Sequence, residues 1–276
     1  MEISSRTRLI ALLGHPVEHS LSPQFHNRIY KQLGLDMVYL AFDVGKGQLS
    51  SALDGIRAMN FIGCNITIPY KEEVLGYLDE VDQEAAVIGA VNTVKNRNGY
   101  LIGYNTDGMG FLYSMKKRGI GCREKRILLL GAGGAARAIA IYLARENPRE
   151  ILIHNRTLER ALVLADTINS YIGMNLARMV QKIPEDVDII INTTSLGMWP
   201  QVEGNPLEGF SLLNKTIVCD IVYNPRKTRM LVQAEKAGCK IVEGVDMLIG
   251  QGLKAIEIWT GVKMDQFSYQ DTLKSF

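Results

Sequence analysis

Two residues in the first half of the chain have the side chains that a proton-transfer site needs. Lys71 comes just after the sequence Asn65-Ile66-Thr67-Ile68-Pro69-Tyr70, and Asp107 comes just after Asn105 and Thr106. A carboxylate can hold an ammonium group in place while that group exchanges a proton with a substrate. We therefore interpret Lys71 and Asp107 as a candidate acid–base pair. The alternatives are a solvated surface lysine and an aspartate that only caps a helix.

Two serines precede the first predicted helix and could bind an anionic group. Ser20 and Ser22 lie on the same side of an extended segment, just before Pro23. Paired hydroxyl groups of this kind can hold a carboxylate. Ser22 could instead act only as the cap of the helix that Pro23 opens, but capping leaves Ser20 unexplained. We favour the carboxylate site.

Asparagine and threonine side chains follow further strands. Asn65 and Thr67 alternate with Ile66 and Ile68, which predicts that the polar pair shares one face of a strand while the isoleucines fill the core. Asn92 is a further amide close to a predicted strand, in the kind of position where α/β folds bind ligands. We interpret Asn65, Thr67 and Asn92 as candidate ligand-binding residues.

A glycine-rich turn in mid-chain indicates a dinucleotide site. Residues 126–136 read Arg-Ile-Leu-Leu-Leu-Gly-Ala-Gly-Gly-Ala-Ala, which predicts a buried strand, a tight turn and the start of a helix. The glycines and the final small residue match the Rossmann phosphate fingerprint. Glycines let backbone N–H groups approach a pyrophosphate at the positive end of the helix. The candidate phosphate-binding residues are Gly131, Ala132, Gly133, Gly134 and Ala135.

The segment after the next strand indicates which dinucleotide binds. An NAD site usually carries an acidic residue there for the ribose 2′-hydroxyl. This chain has His154-Asn155-Arg156-Thr157 instead, followed by Arg160. Guanidinium groups can bind a 2′-phosphate through paired, charge-assisted hydrogen bonds. We therefore predict NADP(H) as the cofactor, with Arg156 and Arg160 as selecting residues; a merely solvated Arg160 is the alternative.

These groups need two domains to position them. The sequence predicts an α/β protein with an N-terminal α/β substrate domain, whose sheet is mostly parallel, and a Rossmann-type, doubly wound NADP-binding domain. The predicted boundaries are residues 1–106 together with 245–276 for the first domain, and 107–244 for the second. A ligand cleft is expected between them, at the carboxyl ends of the strands.

Hydrophobic patterns and turn residues predict the individual elements. In the first domain we predict strands at 8–14, 37–43, 61–68, 90–96 and 101–104, and helices at 23–33, 48–59 and 71–78. In the second we predict strands at 126–130, 150–154, 187–192, 216–221 and 240–243, and helices at 109–117 and 135–145. A last helix over 246–260 has an apolar stripe that predicts packing on the first domain.

Composition excludes several classes of function. The chain has 276 residues, 47% of them hydrophobic, and a net charge of +2 without any block of like charge. This balance argues against nucleic-acid binding and against a polybasic membrane site, and it favours a small-molecule substrate. The four cysteines have neither disulfide-framework nor zinc-site spacing, so we expect buried free thiols and no metal. The absence of a signal-peptide pattern and of a long apolar window predicts a cytoplasmic protein.

Six short segments occur in an order that is typical of one enzyme family. They read His-Ser-Leu-Ser-Pro at 19–23, Asn-Ile-Thr-Ile-Pro-Tyr-Lys at 65–71, Gly-Ala-Val-Asn-Thr at 89–93, Gly-Tyr-Asn-Thr-Asp-Gly at 103–108, Asn-Arg-Thr at 155–157 and Tyr-Asn-Pro at 223–225. Together they resemble the shikimate dehydrogenase family, over nearly the whole chain. The resemblance implies reversible reduction of 3-dehydroshikimate to shikimate, with hydride from NADPH and proton transfer by a lysine–aspartate pair.

The resemblance also gives roles to single residues. Lys71 and Asp107 correspond to the catalytic pair. The residues that correspond to binders of the substrate carboxylate are Ser20, Ser22 and Tyr223, and those that correspond to binders of ring hydroxyls are Thr67, Asn92 and Gln251. Residues 192–198, Asn-Thr-Thr-Ser-Leu-Gly-Met, resemble the loop beside the nicotinamide, although Leu196 is larger than the residue that is usual there. The further cofactor-binding residues that the resemblance implies are Asn155, Thr157, Thr194, Ser195 and Gly244.

Three other functions are compatible with parts of this pattern. A quinate/shikimate dehydrogenase could accept more substrates and also NAD, although Ser22 rather than threonine leans towards shikimate. A methylenetetrahydrofolate-type dehydrogenase also has a lysine in its first domain but should lack the paired serines. A non-catalytic metabolite sensor could share the two-domain frame, but the presence of both Lys71 and Asp107 argues against it. The sequence is compatible with a monomer or a homodimer, and with a role in aromatic biosynthesis or in catabolism.

Overall fold

The computed structural model describes residues 3–264, which form two units. One unit contains residues 3–106 and 252–264, and the other contains residues 107–251. The first change of unit falls between Thr106 and Asp107. The second falls inside the last helix, a few residues after the predicted boundary at 245. Residues 265–276, which the prediction assigns to the first domain, lie outside the described part of the chain.

The first unit contains a six-stranded mixed sheet in the order β2-β1-β3-β5-β6-β4. Its strands are β1 (Arg8–Gly14), β2 (Met37–Asp43), β3 (Gly63–Ile66), β4 (Glu80–Val81), β5 (Thr93–Arg97) and β6 (Tyr100–Tyr104). β1 is parallel to both of its neighbours, whereas β5 is antiparallel to β3 and to β6. β5 and β6 form a hairpin whose turn has positive φ at Asn98 and Gly99, the geometry that asparagine and glycine favour.

Helices of the first unit include α1 (Ser22–Gln32), α2 (Leu49–Ala58), α3 (Gln83–Ile88) and a short 3₁₀ helix (Glu73–Tyr77). The prediction of a helix over 71–78 was therefore wrong in type and length. The carbonyl of Lys71 accepts a bond from the Val91 N–H (2.8 Å), outside this segment. The expected core position of Ile68 was also wrong. β3 ends at Ile66, and Ile68 is 65% exposed.

The second unit has the strand order of a doubly wound dinucleotide-binding domain. Its strands are β7 (Arg126–Leu130), β8 (Glu150–His154), β9 (Ala177–Met179), β10 (Ile189–Asn192), β11 (Ile217–Asp220) and β12 (Lys240–Val242). All neighbouring pairs are parallel in the order β12-β11-β10-β7-β8-β9. The order reverses between β7 and β10, which is where such sheets bind ligands. The predicted α/β fold class is confirmed.

Five helices begin in the second unit, within residues 107–251. They are α4 (Asp107–Lys117), α5 (Gly134–Ala144), α6 (Leu158–Ile172), α7 (Arg229–Lys236) and α8 (Gly244–Thr260). α8 begins in the second unit and ends in the first. There the indole N–H of Trp259 donates to the Val94 carbonyl (2.9 Å), which fits the predicted packing role of this helix. None of the helices described between residues 3 and 264 is both long and apolar enough to cross a bilayer.

The four cysteines are free and buried, as predicted. Burial raises the pKa of Cys64 and of Cys219 above the range of an ordinary thiol. A thiol that stays protonated is a poor nucleophile and a poor metal ligand. These cysteines therefore act as small apolar residues of the core.

His26 lies in a closed aromatic cluster of the first unit. Its ring is fully buried and stacks on the ring of Tyr39, with centroids 4.2 Å apart. Phe25 and Trp259 also contact the imidazole. Within the described residues its Nε2 atom has no hydrogen-bond partner. Burial lowers the pKa of His26 to about 3, because the charged imidazolium would lose its hydration in this cluster.

Replacing His26 with phenylalanine should make the protein less sensitive to acid. The unfolded chain binds a proton at His26 below about pH 6.5, while the folded chain does not until about pH 3. Stability from this residue is therefore present at neutral pH and is lost as the pH falls through that window. Between about pH 7 and about pH 5 the loss amounts to about 2 kcal/mol. Urea unfolding of both proteins across this range measures the difference, and parallel stability curves would contradict the prediction.

Candidate active site

The first unit collects most of the predicted substrate-binding residues at one edge of its sheet. The carboxyl ends of β1 and β3 lie there because the two strands are parallel. β5 runs the other way, so its amino end pairs at the same edge, with Asn65 opposite Thr93 and Thr93 opposite Tyr104. The reversal of β5 is therefore what brings the Asn92 segment beside the Asn65 segment.

Backbone hydrogen bonds fix the loops that leave this edge. The N–H of Thr67 donates to the Leu13 carbonyl (2.9 Å), and the N–H of Asn92 donates to the Tyr104 carbonyl (3.1 Å). The carbonyl of Lys71 is held by the Val91 N–H. Thr67 and Lys71 are both partly buried. The loops that carry Thr67, Lys71 and Asn92 are therefore fixed at the same edge of the sheet.

Buried amides tie these loops to each other. Asn65 donates one amide hydrogen to the Asn92 carbonyl (2.9 Å) and the other to the Thr93 hydroxyl (3.0 Å). The side chain of Asn92 accepts from the Thr106 N–H (2.9 Å) and donates to the Thr106 hydroxyl (3.0 Å). Both amide hydrogens of Asn65 are therefore used inside the protein. This favours a positioning role for Asn65 over direct binding of a ligand.

The structure does not support the alternative in which Ser22 caps helix α1. Leu21 occupies the cap position of α1 and no side chain caps that helix, while Ser22 is its first residue. The cap interpretation of Ser22 was therefore wrong. The hydroxyl of Ser20 accepts from the Ser22 N–H (3.3 Å), which holds the two serines in one turn. Both side chains remain partly exposed.

Tyr39, which the sequence analysis does not single out, joins these two groups. It is fully buried in β2, and its hydroxyl donates to Asn65 Oδ1 (2.8 Å). The Ser22 side chain bonds to the same hydroxyl, and since that hydroxyl's proton goes to Asn65, Ser22 must be the donor. Tyr39 therefore links the serine turn to the amide network.

The second unit presents the glycine turn as predicted, between β7 and α5. Gly131 has φ of +110°, and a Cβ there would lie 2.6 Å from the Thr193 hydroxyl, so only glycine fits. The space around Gly133 is open instead. Gly133 is the cap residue of α5 and, as a glycine, has no side chain that could cap the helix. The free space at Gly133 and the backbone N–H groups at the start of α5 suit the binding of a phosphate group.

Arg156 and Arg160 lie on the surface where β8 continues into α6. Thr157 is the cap residue of α6 but makes no side-chain cap bond, and Arg160 lies in the first turn. Asn155 donates to the Thr157 carbonyl (2.8 Å) and shapes the loop. In the part of the chain that the structure describes, no carboxylate forms an ion pair with Arg156 or Arg160. The residues present therefore fit a dinucleotide with a 2′-phosphate.

The loop after β10 is held by its first residues. The Thr193 hydroxyl donates to the Leu130 carbonyl (2.7 Å). The Asn192 side chain accepts from both the N–H (3.0 Å) and the hydroxyl (2.7 Å) of Thr194. Ser195 and Leu196 are exposed. The first residues of the loop are therefore fixed by hydrogen bonds while its tip is exposed, as expected for a loop that contacts a cofactor.

The remaining predicted residues lie in the second unit. Asp107 is buried as the first residue inside α4, and so it is not the residue that precedes the helix. Tyr223 is partly buried, and burial raises its pKa. Gly244 begins α8, where a Cβ would lie 2.3 Å from the Val222 carbonyl. Gln251 donates to the Leu248 carbonyl (3.0 Å) of the same helix.

Comparison with known families covers most of the chain. Residues 12–94 match the model described as the shikimate dehydrogenase substrate binding domain. Residues 114–234 match the model described as shikimate / quinate 5-dehydrogenase. Residues 244–266 match the shikimate 5′-dehydrogenase C-terminal domain.

Individual proteins of high similarity have the same description. The shikimate dehydrogenase (NADP(+)) of Moorella thermoacetica is 46% identical, over 95% of this chain and 90% of its own length. A crystal structure of a shikimate dehydrogenase in complex with NADP+ is 43% identical and superposes with a TM-score of 0.89, covering 95% of this chain and 93% of that one. The enzyme from Thermus thermophilus in complex with NADP(H) and shikimate is 37% identical, with a TM-score of 0.87, covering 97% of this chain and 99% of that one.

Proposed function

Since the chain belongs to the shikimate dehydrogenase family, we propose that it catalyses the reversible NADP(H)-dependent reduction of 3-dehydroshikimate to shikimate. The observation that carries this proposal is that the loops with Thr67, Lys71 and Asn92 leave the same edge of the first unit's sheet. The uncapped glycine turn of the second unit supports the cofactor. We assign substrate binding to the first unit and cofactor binding to the second.

The substrate carboxylate is assigned to the serine turn. Ser20 and Ser22 offer hydroxyl groups that are held by local bonds and stay accessible. Hydroxyl donors of this kind bind a carboxylate without the desolvation cost of a buried cation. The other assigned substrate-binding residues are Asn65, Thr67, Asn92, Tyr223 and Gln251. Of these, Asn65 acts chiefly by orienting its neighbours.

Lys71 and Asp107 are assigned to proton transfer. During reduction, negative charge grows on the carbonyl oxygen at the 3-position of the substrate. The ammonium group of Lys71 stabilises this charge and donates a proton to the oxygen. In the reverse direction the neutral amine accepts the proton of the substrate hydroxyl. Asp107 is assigned as the carboxylate that orients Lys71.

The cofactor is assigned to the residues at the carboxyl edge of the second sheet. NADPH supplies the hydride when it is bound. The glycine turn holds its pyrophosphate against the start of α5, and Arg156 with Arg160 holds the 2′-phosphate. The further assigned contacts are Gly131, Ala132, Gly133, Gly134, Ala135, Asn155, Thr157, Thr194, Ser195 and Gly244. We also propose a cytoplasmic location, because four buried free thiols suit a reducing compartment.

The test is a spectrophotometric assay of NADPH formation from shikimate. We expect turnover with shikimate and NADP+ that exceeds turnover with quinate or with NAD+. Equal turnover on quinate or with NAD+ would favour a quinate/shikimate dehydrogenase of broader range. The supporting observation for this alternative is that the matched family model is described as shikimate / quinate 5-dehydrogenase. If the protein binds shikimate but shows no turnover with either substrate, shikimate or quinate, and either cofactor, NADP+ or NAD+, the result would favour a metabolite sensor.

Replacing Tyr39 with phenylalanine should raise the KM for shikimate by about tenfold and change kcat less. The variant leaves the Ser22 hydroxyl and Asn65 Oδ1 without their shared partner, and an unmade buried hydrogen bond costs about 1–3 kcal/mol. Initial rates at saturating NADP+ measure the effect.

The matched control for this prediction is Tyr100→Phe. Tyr100 lies on β6 of the same sheet and is 47% exposed, so its loss should change neither constant. An unaltered shikimate KM in Tyr39→Phe would remove Tyr39 from the positioning network.

A further inference from the structure

Asp220 is the last residue of β11, and its carboxyl group is 2% exposed. One oxygen accepts from the Asn192 amide (3.0 Å) and from the Val222 N–H (3.0 Å). The other accepts from the Thr228 hydroxyl (2.6 Å). No ion pair to Asp220 occurs among residues 3–264. A single buried carboxyl group therefore connects the end of β10, the segment after β11 and the start of α7.

The bond to Asn192 continues into the loop beside the proposed cofactor site. Asn192 Oδ1 accepts from the N–H and the hydroxyl of Thr194. The Thr194 hydroxyl in turn accepts from the Leu196 N–H (3.2 Å). The three residues and Asp220 form one chain of hydrogen bonds that runs from the interior to the exposed tip of the loop.

The acceptor oxygens of Asp220 fix the direction of this chain. Burial raises the pKa of Asp220 to about 6, while its bonds to Thr228, Val222 and Asn192 oppose that shift. At neutral pH the group is therefore mostly ionised and can only accept hydrogen bonds. Asn192 must turn its NH₂ group towards Asp220 and its oxygen towards Thr194. The same NH₂ group also donates to the Leu196 carbonyl (3.3 Å). Without the carboxylate, Asn192 loses its shorter acceptor and only this longer bond remains to its NH₂ group, so the loop is held less firmly.

We propose that Asp220 is a positioning residue for the cofactor site, which orients Asn192 and thereby holds Thr194 and Ser195 in the conformation that receives the nicotinamide end of NADP(H). This proposal rests on the proposed function. It gives a role to a buried acid that the assigned catalytic and binding residues do not include.

The test compares Asp220→Ala, Asp220→Asn, Asn192→Ala and the double variant Asp220→Ala with Asn192→Ala. We measure the NADPH dissociation constant by fluorescence, the separate KM values for NADP+ and shikimate, kcat, and the thermal unfolding midpoint. Asp220→Ala and Asn192→Ala should each weaken NADPH binding by about tenfold. The double variant should bind no more than about twofold less tightly than either single variant, since both changes break the same chain.

Other measurements distinguish positioning from folding. The KM for NADP+ should rise by more than the KM for shikimate in Asp220→Ala. Asp220→Asn keeps an oxygen for Asn192, so it should recover NADPH affinity to within about threefold of the original protein while its unfolding midpoint does not fall. The matched control is Asp188→Ala, since Asp188 accepts from the Arg126 N–H (2.9 Å) at the opposite edge of the same sheet. This control should bind NADPH normally.

Normal NADPH binding by Asp220→Ala would overturn the proposal. It would also be overturned if the double variant weakened NADPH binding by the product of the two single effects, because the two residues would then act independently. If Asp220→Ala does not fold, Asn192→Ala decides alone, and normal NADPH binding by that variant overturns the proposal. Failure of the unsubstituted protein to bind NADPH would instead overturn the proposed function, and this inference with it.

Discussion

Replacing Lys71 with alanine should lower kcat by about two to four orders of magnitude, while the KM for shikimate changes far less. The variant removes the group that donates the proton and that stabilises the growing negative charge on the oxygen. Lys71 leaves the loop after β3, where its carbonyl is fixed by the Val91 N–H. Truncation of the side chain leaves that backbone bond in place. Single-turnover and steady-state rates with 3-dehydroshikimate and NADPH measure the loss.

A second lysine of the same unit supplies the control for this prediction. Lys31 lies in the last turn of α1 and is exposed. Lys31→Ala removes the same charge without touching the sheet edge and should keep kcat within about twofold. A near-normal kcat in Lys71→Ala would exclude Lys71 from the proton transfer. A large rise in KM with unchanged kcat would make Lys71 a binding residue only.

The strands that the sequence predicted best are those with unbroken apolar runs. β1 (Arg8–Gly14), β2 (Met37–Asp43), β7 (Arg126–Leu130) and β8 (Glu150–His154) begin and end at the predicted residues. Such runs are typical of strands that are buried on both faces. Short elements without a clear period, such as β4, β9 and α3, were not predicted. The segment after Pro69 was predicted as a helix because it follows a proline, but the Lys71 carbonyl bonds to Val91, a residue that is distant in sequence and precedes β5.

Most groups at the site could be found from local sequence, because they lie where strands end. The glycine turn, Ser20, Thr67 and Arg156 carry their own signals of residue type and position. Tyr39 and Asp220 carry none, since each looks like an ordinary residue at the middle or end of a strand. Their importance comes from partners that are distant in sequence, Asn65 for Tyr39 and Asn192 for Asp220. Single-sequence patterns do not encode such pairings, so only the folded structure identifies these residues.

Replacing Arg156 with aspartate should lower the preference for NADP+ over NAD+ by about two orders of magnitude, expressed as the ratio of the two kcat/KM values. The guanidinium is exposed at the end of β8 and has no carboxylate partner among the described residues, so it is available to a phosphate. Aspartate repels the 2′-phosphate and can accept a hydrogen bond from the ribose 2′-hydroxyl of NAD+. Loss of NADP+ binding and gain of NAD+ binding therefore act in the same direction. Initial rates with each cofactor at saturating shikimate measure both.

The control must separate a local contact from a change in net charge. Arg123→Asp makes the same charge change at an exposed residue just before β7, at the opposite edge of the sheet. It should leave the cofactor ratio within about twofold at moderate ionic strength, because exposed charges beyond the screening length interact weakly. If Arg156→Asp and Arg123→Asp lower the ratio equally, the effect is general electrostatics. If Arg156→Asp changes nothing while Arg160→Asp does, the selecting contact lies one turn further along α6. Only a large effect at Arg156 with none at Arg123 assigns the 2′-phosphate to the loop after β8.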